Sequence, residues 1–82
     1  MEKKLFKLTV ARVDQSIFVG EVVSALLPAV DGPMQLLANH QALISPLKKG
    51  VIKIEKEGGV IENIEINNGT LEFSHNNAIV LI

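Results

Sequence analysis

Alternation of apolar and polar positions dominates this chain from its first ordered-looking segment to its end. In Phe6-Lys7-Leu8-Thr9-Val10 the odd-numbered members of the pentad face one way and the polar ones the other. That period of two predicts a half-buried strand. Asp14-Gln15-Ser16 breaks the pattern, and a second strand is expected from Ile17 to Glu21. It continues past a bend expected at Gly20 into Val22 to Leu27. Pro28 and the sequence Asp31-Gly32-Pro33 predict a turn. Two short strands follow, around Gln35–Ala38 and Leu43–Ser45, and then three hairpin-like strands and a final one.

Parity tests the hairpins, because inward residues of paired strands must land opposite one another. A two-residue loop at Asn68-Gly69 would pair Ile66 with Leu71 and Ile64 with Phe73. Asn-Gly is also the favoured type I′ dipeptide, so a hairpin is expected there. A two-residue loop at Asn76-Asn77 would pair Phe73 with Val80 and Leu71 with Ile82. At Gly58-Gly59 a two-residue loop fails, because it sets Ile54 against Asn63. A three-residue loop, Glu57-Gly58-Gly59, sets Ile52 against Ile64 and is expected to hold a left-handed glycine. The last segment, Ala78 to Ile82, is apolar on both faces. With Val80 and Ile82 inward, Ile79 and Leu81 point outward and need a cover.

The expected fold is therefore all-β, a sandwich of short strands in one domain spanning residues 1–82, with a core lined by Phe6, Leu8, Val10, Phe18, Val22, Ile52, Ile54, Ile64, Ile66, Leu71, Phe73 and Val80. Composition agrees. With three Phe and no Trp or Tyr, the core falls to Val, Ile and Leu, which favour strands. A chain of 82 residues buries only about 60% of its unfolded surface, so its stability is marginal and a partner often helps a domain of this size. The net charge of −1 gives no electrostatic case for nucleic acid or an anionic membrane. The absence of cysteine excludes a disulfide scaffold and thiolate metal sites. The basic start, with Lys3-Lys4, is followed by no apolar run of signal-peptide length.

Candidate chemistry is thin. His40, in an Asn39-His40 pair with a buried look, has Asp31 and Ser45 nearby in sequence. A Ser-His-Asp hydrolase needs an exposed serine elbow, whereas Ser45 stands before Pro46 in an apolar strand. A structural or interface histidine is the expected role. His40 and His75 lack a third ligand at recognisable spacing, so no metal is expected. His75 is expected in solvent beside the Asn76-Asn77 turn. The glycines fall at turns and bends, and none opens a helix that could cradle phosphate. Lys48-Lys49 and the Glu55, Glu57, Glu62 and Glu65 group read as a solvated face that blunts edge pairing. The loop Asp31-Gly32-Pro33-Met34 reads either as an adaptable contact through an exposed Met or as an ordinary connector.

The order and spacing of several blocks resemble the N-terminal domain of the epsilon subunit of F-type ATP synthases. Phe18-x-Gly20-Glu21-Val22 is similar to that family's early Phe-Ser-Gly-Glu-Val. Pro28, Gly32, Leu36, Asn39-His40, Leu43, Leu47, Lys48 and Gly50 follow at matching spacing, then Gly69, Leu71-Glu72 and Val80-Leu81. The chain departs from the family where Gly32-Pro33-Met34-Gln35 replaces Gly-Glu-Leu-Gly, where Ala38 and Ala42 replace proline, and where Thr70 replaces an aromatic. The resemblance implies a flattened β-sandwich of about ten short strands at the foot of a central stalk. It implies a non-catalytic rotor subunit without cofactor, peripheral on the cytoplasmic face of a bacterial inner membrane. Its implied partners are the gamma subunit, met through Arg12 and Ser45 with apolar Ile79 and Leu81 added, and the c-ring, met through Asp31, Gly32, Pro33, Met34, Gln35 and His40. With no acidic group at Pro33, the ring contact is expected to be van der Waals, braced by a His40 hydrogen bond. The two-helix C-terminal domain common in the family has no counterpart here, so the chain is expected to resemble short or truncated forms. A free-standing adaptor or carrier-type β module is the alternative.

Overall fold

A computed structural model describes residues 4–82, so Lys3 of the Lys3-Lys4 pair lies outside the described residues. Among them are nine strands and no helix: β1 Phe6–Arg12, β2 Gln15–Val22, β3 Ser24–Ala29, β4 Gly32–Leu37, β5 Leu43–Leu47, β6 Gly50–Glu55, β7 Ile61–Ile66, β8 Gly69–Ser74 and β9 Asn77–Leu81. Hydrogen bonding runs in the order β2-β1-β9-β8-β5-β3-β6-β7, with β4 on the far side of β3. The bridge Ala29↔Leu47 is the one register contact between β3 and β5. There the sheet folds over into two layers, β2-β1-β9-β8-β5 and β4-β3-β6-β7. Their inner faces meet in a core of Phe6, Leu8, Val10, Val22, Ile52, Ile54, Ile66, Leu71, Phe73 and Val80. Ala25, Leu27, Ala29, Leu36, Leu47 and Ala78 complete it, while Phe18 and Ile64 are only partly buried against its rim.

The Glu57-Gly58-Gly59 loop is as the alternation predicts. Ile52 pairs with Ile64, and both glycines have positive φ, 88° and 83°. The expected hairpin at Asn68-Gly69 does not form. β7 pairs with β6, whereas β8 lies between β5 and β9 in the other layer. Ile66 and Leu71 both point inward, but from opposite layers, so equal parity did not mean pairing. Neither Asn68 nor Gly69 adopts the positive φ that a type I′ turn requires. Gly69 answers a different demand. A Cβ on it would stand 2.7 Å from the carbonyl oxygen of Leu81 on the neighbouring β9.

The type I′ turn sits instead at His75-Asn76, whose φ values are 52° and 57°. It lies one residue before the expected Asn76-Asn77 loop and pairs Leu71 with Val80 and Phe73 with Ala78. The side-chain facing is unchanged, because the register moved by two. The bend expected at Gly20 is also displaced. Gly20 pairs with Leu8 inside a continuous β2, and the chain turns from one layer to the other at Val23. The turn expected at Asp31-Gly32-Pro33 is the two-residue tip Val30-Asp31, after which Gly32 (φ 132°) opens β4. Pro33 is tolerated because β4 is an edge strand.

Candidate functional site

Among the described residues no group of three or more His, Asp or Glu is placed to hold a metal ion. Among the described residues no helix is long and apolar enough to cross a membrane. The features left are surfaces, and the strands fix which side chains share each one.

The outer face of the β2-β1-β9-β8-β5 layer follows from register. One row across it reads Val19, Thr9, Ile79, Glu72, Ile44. The next row reads Ala11, Leu81, Thr70, Pro46. Ile44 is 73% exposed and Leu81 and Val19 are 57% and 56% exposed, so this β-branched and aliphatic face has no layer of its own. Ile79 and Leu81 therefore lie where the alternation puts them. Ile44 belongs with them and was missed, although the segment Leu43-Ile44-Ser45-Pro46-Leu47 carries the same signal of apolar residues on both faces.

The four residues grouped for the shaft do not form one surface. Ser45 lies opposite Leu71 on the inner side of β5, half-buried, with its hydroxyl donating to the Pro46 carbonyl at 3.3 Å. Arg12 is exposed at the end of β1, on an open cleft of about 520 Å³ with Lys49, Glu65, Asn68 and Ile82. That leaves Ile79 and Leu81 on the outer face.

The six residues grouped for the ring also divide. Asp31 is exposed at the β3–β4 tip, and Pro33 and Gln35 follow on the outer side of β4, opposite Pro28 and Leu26. Met34 is not an exposed contact. It points inward opposite Leu27 and packs on the core. His40 lies beyond the other end of β4, and a six-residue strand separates it from the tip by about 20 Å. It is exposed rather than buried. Its Nδ1–H donates to the Gln41 carbonyl at 2.9 Å, and its ring meets Phe73 edge-on at 6.0 Å.

The bracing expected of His40 falls to its neighbour. Asn39, in the left-handed region at φ 66°, accepts at Oδ1 from Asn76 Nδ2 at 2.9 Å. Its own backbone N–H donates to Asn76 Oδ1. The two asparagines thus clasp the β4–β5 connection to the β8–β9 turn. Replacing His40 with Ala should consequently lower stability by no more than about 1 kcal/mol, the worth of one water-accessible hydrogen bond. The check is a urea midpoint that moves little at constant slope.

A different clamp holds the opposite edges. Lys56, at the root of the β6–β7 hairpin, lies over the Phe18 ring at 5.4 Å and pairs with Glu62 at 2.7 Å. It closes β2 against the second layer through a cation–π contact and a partly exposed ion pair.

These features define a class: a two-layer β domain with an uncovered apolar face on one layer. Residues 5–82 match the family described as ATP synthase, Delta/Epsilon chain, beta-sandwich domain, and the chain belongs to that family. It is 40% identical over 76 residues to the ATP synthase epsilon chain of Sulfurimonas denitrificans, covering 93% of this chain and 58% of that one. It is 33% identical over 78 residues to the epsilon chain of Chlorobium limicola, covering 95% and 89%. The chain thus spans little more than half of the first relative and most of the second. A chain in the cryo-EM structure of the Euglena gracilis mitochondrial ATP synthase, with OSCP, F1 and c-ring, has the same fold: TM-score 0.89, 24% identity, 94% of this chain and 49% of that one.

Proposed function

We propose that this chain is a non-catalytic rotor subunit of an F1Fo ATP synthase, bound to the gamma subunit and resting on the c-ring. In that role it couples ion flow through the ring to the shaft that drives ATP synthesis. Its place would be peripheral, on the cytoplasmic face of a bacterial membrane, as fits the bacterial relatives it matches over most of its length. Family membership supports the assembly, and the uncovered face around Ile44, Ile79 and Leu81 is the observation that carries the shaft contact. A domain this small does not leave three aliphatic side chains on the middle of a sheet without a use, because exposed apolar patches of this kind mark interfaces.

The ring contact is assigned to the tip Val30-Asp31 with Pro33. These are exposed and project from an edge hairpin, and Asp31 supplies there the acidic group that Pro33 lacks. His40 is no part of that contact, given its distance along β4. The shaft contact excludes Ser45, which faces the other way.

The test is binding to an F1 assembly depleted of this subunit. The wild-type chain should bind. The double substitution Ile79→Asp, Leu81→Asp should weaken binding at least about 100-fold, since two buried aliphatic anchors of about 1.5–3 kcal/mol each are replaced by charge. Leu81 is exposed and Ile79 half-buried beside Glu72, so the melting temperature should fall modestly while the fold persists, to be checked by circular dichroism before binding is measured. If the folded wild-type chain shows no complex, the rotor reading is wrong.

A further inference from the structure

The outer face that the proposed function assigns to the shaft holds one charge at its centre. Glu72 projects from β8 between Ile79 on β9 and Ile44 on β5. It is exposed and makes no ion pair among the described residues. Among the described residues the nearest strand-borne lysine or arginine on this face is Lys7, two strands away on β1 and two residues further along. That separation is about 12 Å between Cα positions, and the two side chains make no ion pair. Thr9 and Asn77 lie between them. Glu72 is thus a carboxylate without an ion-pair partner among the described residues, flanked across the strands by Ile44 and Ile79 and along β8 by Thr70 and Ser74.

Water satisfies Glu72 while the chain is free. An apolar partner surface laid over Ile44, Ile79 and Leu81 removes that water. A carboxylate desolvated without a partner costs several kcal/mol, which would cancel much of what the aliphatic contacts contribute. An apolar patch with one central acid is therefore complementary to an apolar patch with one central base. We infer that the shaft surface received here carries a single arginine or lysine seated on Glu72 within a ring of aliphatic side chains. Arginine suits the geometry better, because its planar fork meets both carboxylate oxygens and is more weakly hydrated than an ammonium. The acid then sets register and orientation on an otherwise slippery apolar contact, which is the usual work of charge at an interface.

This inference rests on the shaft reading above, and one experiment separates their failures. Dissociation constants are measured for the depleted F1 assembly with the wild-type chain, Glu72→Gln, Glu72→Lys and Glu57→Lys. Glu72→Gln keeps the shape, so it leaves the fold intact and the partner's base unpaired. It should raise Kd by about 30-fold or more, and Glu72→Lys by more again, as for truncating one side of a desolvated charge pair. Glu57 lies at the exposed β6–β7 tip, away from this face, and Glu57→Lys changes net charge by the same amount as Glu72→Lys. It should bind like the wild type. If the wild type binds and both Glu72 variants bind equally well, the charge pairing is overturned and the shaft reading stands. If the wild type does not bind, both are overturned.

Discussion

Replacing Phe73 with Ala should cost about 3–5 kcal/mol, the usual penalty for deleting a buried aromatic ring. A domain of 82 residues has roughly 4–12 kcal/mol in all, at about 0.05–0.15 kcal/mol per residue, so the variant should lose a large share of its stability. Phe73 is 1% exposed and joins three parts of the fold. Its ring meets Phe6 of β1 edge-on at 5.7 Å, and His40 covers it on the side of the β4–β5 connection. The space it leaves is bounded by strands that are hydrogen-bonded on both sides, so little of it can collapse. Urea unfolding followed by far-UV circular dichroism should show a much lower midpoint with an unchanged slope. A midpoint shifted by less than a third of its wild-type value would mean that Phe73 does not anchor the core.

Gly69→Ala should be strongly damaging for a change of one methyl group. The added Cβ would stand 2.7 Å from the Leu81 carbonyl oxygen and 3.0 Å from Ile82 Cγ2. The oxygen belongs to backbone in β9, so it cannot swing aside. β8 must move away from β9 or from β5, and overpacking of this kind costs about 1–3 kcal/mol. The damage should be visible beyond stability. Hydrogen exchange should speed up at the β8–β9 ladder around Thr70↔Leu81 and leave the β6–β7 ladder unchanged. Gly58→Ala is the contrast, since nothing lies within 4 Å of its Cβ position and only its φ of 88° opposes the change. If Gly69→Ala melts no lower than Gly58→Ala, the close approach to Leu81 is not what requires glycine.

The sequence by itself determined the β class, the inward facing of ten core residues from Phe6 to Val80 and the outward pair Ile79 and Leu81, while Ala25, Leu27, Ala29, Leu36, Leu47 and Ala78 were not read as core. Alternation is a local property of the chain, and burial enforces it wherever one face meets the core. It also determined the register of the Glu57-Gly58-Gly59 hairpin, because β6 and β7 are neighbours in space as well as in sequence. The family blocks made the candidate surfaces nameable, although chemistry alone left them as a loop and two apolar residues.

Only the tertiary structure decided which strands pair. Parity states that two strands could face one core, and it is equally satisfied when they lie in opposite layers, as Ile66 and Leu71 do. The parallel pairing of β1 with β9 joins Leu8 to Ala78 across the whole chain, and no local pattern encodes it. Pairing in turn decided the surfaces. It turned Ser45 inward, set His40 and Asp31 at opposite ends of β4, and gathered Ile44, Glu72, Ile79 and Leu81 from three strands onto one face. A strand reports which way its own side chains point. Which other side chains stand beside them depends on backbone hydrogen bonds between distant segments, and those bonds carry no side-chain signature to read.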